Sequence, residues 1–221
     1  MAGFLDVLLR GLALCGQSLV IGGVLFALIV LRPAGMERPG LWHLLRRSRL
    51  LVALGAAGAA TAQALSLTTQ VSQLADERGW PLREILSTSY FEASLVRIAA
   101  CLGVLIVCWA FRRDGGHRGW GLLVALAAAL AVGSALTSHA AGRVEHRGLL
   151  LTLDGLHQVA VAAWVGGLAH LTAVAFSKGA GPWPAQALRR FSALALTAVK
   201  FSAPSTRRPP RITTLVETIM P

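Results

Sequence analysis

Apolar residues gather in five long runs, about 8–31, 50–74, 93–111, 120–141 and 149–176, with short polar stretches rich in arginine between them. Each run is close to the roughly 20 residues that an α-helix needs to cross the hydrocarbon core of a bilayer. A sixth apolar stretch opens near Phe191 and meets Lys200, well short of that length. The pattern predicts an all-α, polytopic transmembrane helical bundle with five full spans and a partial sixth. The first run is about 21 residues over 11–31 and leads directly into Arg32. That is longer than the h-region of a cleaved signal, roughly 7–15 residues, so it reads as a retained helix. The last stretch, 200–221, is rich in Pro, Thr and Arg and reads as a polar tail of low order, separate from a membrane domain over 1–199.

Composition supports this division. Hydrophobic residues make up 55% of the 221, and charged residues only 14%. An average soluble domain carries roughly 25% charge, so this chain has too little to cover a water-exposed surface. Net charge is +11, which in a soluble protein would suggest nucleic acid. Here the arginines cluster at the ends of apolar runs with no interleaved aromatics, which fits topology determinants and lipid headgroups and sets nucleic acid aside. The segments 32–49, 112–118 and 177–190 are strongly basic, whereas 75–92 and 142–148 are mixed in sign. By the positive-inside rule the basic set is cytoplasmic and the N-terminus extracytoplasmic.

Polar groups inside apolar runs are costly against lipid, so those of the second run, Gln63 and Gln70 among them, are expected to face other helices or a wet cavity. Gly16, Gly22 and Gly23 offer close-packing positions on the first helix. Cys15, Cys101 and Cys108 fall in apolar runs without a CxxC spacing and read as structural thiols, with soft-metal ligation as the alternative; methionine is too scarce for a Met-rich metal tail. No GxSxG, HExxH or Walker-type loop is present, and nothing points to an enzyme.

Candidate chemistry lies near the outer ends of the fourth and fifth helices. His139 closes the fourth, and His146 follows in the connecting loop. Asp154 and His157, three apart, share a face of the fifth, and Trp164 lies seven further along that face. Gly166 and Gly167 follow and would admit a close neighbour. Imidazole is a good ligand for copper, zinc or iron, and a carboxylate one turn away can ligate or orient the ring. Structural roles compete with this reading: His157 and His139 as packing groups, His146 as a surface residue, Asp154 as a headgroup-level residue and Trp164 as bulk. His170 reads as a polar helix contact, and His43 and His117 as solvated. Helical rise puts His157 about 10 Å deeper than His139 if both helices end at one level, so a shared ion requires the fifth helix to start late or tilt.

The stretch Asp154-Gly155-Leu156-His157-Gln158-Val159-Ala160-Val161-Ala162-Ala163-Trp164-Val165-Gly166-Gly167-Leu168 resembles the signature helix of the copper-resistance D (CopD) family. The stretches 17–33, 87–97 and Ser138-His139-Ala140-Ala141 resemble that family too, and the likeness extends over about 1–199. The resemblance implies a bacterial inner-membrane protein that binds copper on the extracytoplasmic side and moves it inward, with a periplasmic copper carrier as a partner. It carries over His157, Trp164, Gly166 and Gly167 as signature positions and His139 as a partner ligand. Family members usually have about eight helices, so the departure after Lys200 reads as truncation in the sixth. The same helix resembles, more loosely, membrane haem proteins, in which paired histidines would hold haem b. A metal-free structural bundle is the third reading.

Overall fold

The computed structural model describes residues 2–34, 41–112, 118–138, 142, 145–176 and 185–202. Helices α1 (Ala2–Leu25), α2 (Leu41–Ser72), α3 (Leu82–Leu86), α4 (Ser89–Ala110), α5 (Arg118–Leu136), α6 (Arg147–Val161), α7 (Gly167–Ala175) and α8 (Ala185–Ser202) carry the fold, and no strand occurs among the described residues. Helix α1 continues into a π-helical turn at Phe26–Leu31, and α2 into one at Gln73–Glu77. A third π-helical turn, Ala162–Gly166, joins α6 to α7 in one rod. Among the described residues five stretches are long and apolar enough to cross a membrane: Gly3–Leu31, His43–Asp76, Ser89–Ala110, Gly119–Leu136 and Arg147–Ala175. The protein is therefore a polytopic membrane protein in contact with a lipid bilayer.

Helix α1 is the hub. It packs against α2, α5 and the α6–α7 rod, while α2 packs on α4, α4 on α5, and α5 on α6. Backbones approach this closely because glycines face each other. A Cβ on Gly16 would stand 2.8 Å from the Ala59 nitrogen, and one on Gly22 2.7 Å from the Gly166 Cα, so neither position has room for a side chain. Between lipid tails and apolar helices there is little hydrophobic driving force, so close packing of this kind supplies much of the association. The main core gathers Val20, Val24, Phe26, Val30, Val52, Val104, Trp120, Leu123 and Leu130.

Several expected boundaries move. Helix α2 begins at Leu41, nine residues before the apolar run, so most of the basic segment 32–49 is helical rather than loop. Arg49 shows why: its guanidinium lies over the Trp120 ring, 5.5 Å from the centroid, and donates to the Phe111 carbonyl, so the charge is housed at the bundle's end. The 75–92 stretch holds the short helix α3 and the start of α4, which Thr88 caps by accepting from the Phe91 N–H at 3.2 Å. Helix α5 ends at Leu136, five residues before the expected end of the fourth span. The partial sixth stretch belongs to the 18-residue helix α8, which packs on the α6–α7 rod and the π-helical turn of α1. The tail 203–221, His117 and His139 lie outside the described residues.

Not every polar residue of α2 turns inward. Gln63 and Ser66 are buried, and Gln70 is half-buried, but Thr61 and Thr68 are exposed. Thr68 can face outward because its hydroxyl donates to the Leu65 carbonyl of its own helix at 2.9 Å.

Candidate functional site: a polar chain and cavity at one end of the bundle

Besides Arg49 at the bundle's end, two buried polar centres interrupt the apolar interior among the described residues. The first is His170 on α7, fully buried. Its Nε2 lies 3.0 Å from the Leu19 carbonyl oxygen and its Nδ1 2.9 Å from Ser48 Oγ. A carbonyl only accepts, so Nε2 carries the proton, and Nδ1 of the neutral ring accepts from the Ser48 hydroxyl. Phe26 packs beside the ring, with centroids 6.1 Å apart. Gly23 must lack a side chain, since its Cβ would overlap the imidazole. Both ring nitrogens are engaged, so His170 is a polar helix contact and has no lone pair free for a metal.

The second centre lies toward the end where α1, α4 and α6 begin and α5 finishes. Asp154 Oδ2 accepts from Gln158 Nε2 at 2.7 Å, one turn along α6. Gln158 Oε1 accepts from Gln17 Nε2 at 3.2 Å, and Gln17 Oε1 faces Arg97 Nη2 at 3.5 Å. The ends fix the direction of this chain: a carboxylate only accepts and a guanidinium only donates, so each amide must point its nitrogen toward Asp154 and its oxygen toward Arg97. Arg97 also donates to Thr137 Oγ1 at 3.3 Å, and the Thr137 hydroxyl passes its own proton to the Ser134 carbonyl at 2.9 Å. Gln63 Nε2 donates to Ser94 Oγ at 3.1 Å nearby. Gln63, Arg97, Ser134, Thr137 and Gln158 border a cavity of about 170 Å³, whose wall also includes Arg10, Ser66 and Tyr90. Helices α1, α2, α4, α5 and α6 each contribute to it.

Of the residues singled out from the sequence, Asp154 and Gln63 belong to this centre, whereas His146, His157 and Trp164 make no contact with it. Asp154 is half-buried and bound to Gln158; His157 is exposed on the side of α6. His146 is exposed and adopts a left-handed conformation (φ 52°) just before α6. Trp164 shares the face of His157, and that face is the outward one, with Trp164 47% exposed. Gly166 and Gly167 face inward. Gly166 lies against the backbone of α1 at Ser18 and Gly22, whereas Gly167 accommodates the Phe191 ring of α8 rather than a backbone. Among the described residues no three His, Cys, Asp or Glu side chains come together as a metal-binding group. Cys101 and Cys108 are buried in the core, and Cys15 is exposed.

Sequence reasoning passed over Arg97, Gln17 and Gln158. The signal for Arg97 was available, as an ionisable residue several positions inside an apolar run is a functional candidate in its own right. Gln158 was visible as the i+4 neighbour of Asp154.

Comparison with known families matches residues 1–150 to the copper resistance protein D-like family, N-terminal domain. No curated protein and no solved structure gives a match. The matched part holds the first four spans and ends before Asp154, so the assignment stands independently of the His157–Gly167 stretch. The chain belongs to the copper resistance protein D-like family.

Proposed function

We propose that this member of the copper resistance protein D-like family binds copper at the extracytoplasmic end of the bundle and transfers it into the membrane without chemical conversion. The observation that carries the reading is the family match over the first four spans. His157 is the principal ligand, His139 the second, Asp154 a ligand or the group that orients one, and His146 an outer contact that meets the ion first. Support comes from their placement: His146, Asp154 and His157 lie within one short stretch at the start of the α6–α7 rod, accessible from outside the bundle. Imidazole and carboxylate together suit a copper ion in exchange between partners, since transfer needs ligands that can also let go. The charge asymmetry of the connecting segments supports an extracytoplasmic position for this end; the membrane in this reading is a bacterial inner membrane, and a periplasmic copper carrier protein delivers the ion.

The test is a copper titration of the detergent-purified chain and its His157→Ala variant. The reading expects saturable binding that weakens about tenfold or more in the variant, since losing one ligand of a small set removes more than the roughly 1.4 kcal/mol of a tenfold change. Equal binding by both proteins would remove His157 from the site.

A further inference from the structure

Among the described residues Arg97 is a cation with no carboxylate paired to it. Its side chain is buried, with the residue only 8% exposed, and it lies inside a membrane-spanning helix. A guanidinium stays protonated in proteins. Its hydrogen bonds go to neutral oxygens alone, Thr137 Oγ1 and Gln17 Oε1, at 3.3 and 3.5 Å, which is long for such contacts. Its Nε is buried with no partner at all. Asp154 is the acidic group of this chain of contacts, and two amides separate it from the guanidinium.

The cavity beside it has the matching character. Among the described residues two arginines and no carboxylate border it, with hydroxyls from Ser66, Tyr90, Ser134, Thr137 and Ser138 around them. The charge of Arg10 is already met by Asp6 at 2.9 Å, which leaves one uncompensated positive charge, that of Arg97. At about 170 Å³ the space is several times the roughly 15 Å³ that one water requires. Water alone leaves the charge without a counter-ion in a region of low dielectric, where an isolated cation is costly. A bare copper ion would be repelled by the same charge.

We propose that this cavity is a binding site for a small monovalent anion of the carboxylate class. The planar fork of Arg97 pairs with a carboxylate through two parallel N–H···O bonds, and the surrounding hydroxyls supply donors for its outer lone pairs. Gln17 holds the fork in place and is itself held by Gln158. The site uses none of the histidines assigned to copper, so the two sites stand or fall separately.

Saturation-transfer NMR of formate, added to the detergent-purified full chain in chloride-free sulfate buffer, tests this directly. A signal that saturates is expected, with an affinity about ten- to a hundredfold weaker in Arg97→Gln, the range for a hydrogen bond to a charged group. Ser66→Val, which fills the cavity with a methyl group and leaves Arg97 intact, should weaken it as well and decides the matter if Arg97→Gln does not fold. Chloride should displace formate poorly. Absence of saturable formate binding in the intact protein overturns the proposal, as does binding that survives the cavity-filling variant. Chloride that competes on equal terms shows a cavity that reads charge alone and overturns the carboxylate assignment.

Discussion

The buried polar centres at His170 and Arg97 are built to opposite rules. Around His170, each ring nitrogen has one partner at hydrogen-bond distance, a phenylalanine lies alongside and Gly23 leaves room for the ring. Around Arg97, the contacts are long, one nitrogen has no partner, and open space adjoins the charge. Both are polar residues removed from water, so burial alone does not separate structure from function in a membrane helix. What separates them is satisfaction. A centre whose donors and acceptors close on themselves ties helices together. One left short of partners next to a cavity is arranged for something that comes and goes.

The comparison can be broken by substitution, and the largest effect should come from the dry half. Gly166→Val would drive a side chain into the α1 backbone at Ser18, where neither partner can yield. The loss should reach or pass the roughly 3 kcal/mol upper end usual for overpacking, read as a collapse of the thermal unfolding transition in detergent. His170→Ala comes next. It removes two interhelical contacts and leaves a void beside Phe26, for about 2–4 kcal/mol, and it should leave copper affinity unchanged. Ser48→Ala removes only the hydroxyl that the Nδ1 lone pair accepts from and should cost about 1 kcal/mol. The smallest effect is expected at the wet centre. Arg97→Met replaces an under-paired buried cation by an apolar chain of similar length, and should leave stability within about 1 kcal/mol of the parent, or raise it. If Arg97→Met destabilised as strongly as His170→Ala, Arg97 would be a structural tie like the histidine and the contrast would fail.

The five spans were legible in the sequence because run length in a bilayer is a strong constraint, while the sixth stretch forms part of α8, which starts at Ala185 and runs past Lys200 to Ser202. The ends of the helices were less so. Arg46, Arg47 and Arg49 read as loop, yet α2 runs through them, since a helix can continue past the apolar slab when an end such as Arg49 finds an aromatic ring and a carbonyl. The inward role of Gly166 followed from its lack of a side chain, but not its partner, as the facing positions on α1 are 144 and 148 residues earlier in the chain. His170 was read as a polar contact, and so it is. The cavity was illegible as a unit because five helices contribute to it and no local spacing links Arg10, Gln63, Arg97, Ser134 and Gln158. The outward direction of the face shared by His157 and Trp164 was also hidden, since spacing fixes which residues share a face but not what that face meets.

Elemental mass spectrometry of the copper-exposed, detergent-purified protein, intact and as His157→Ala, tests the central claim most directly, with His43→Ala as a control at the opposite end of the bundle. The account predicts copper in the intact protein and in His43→Ala, and its loss from His157→Ala while the unfolding transition is retained. Copper retained in full by His157→Ala, or iron in place of copper in the intact protein, would contradict it.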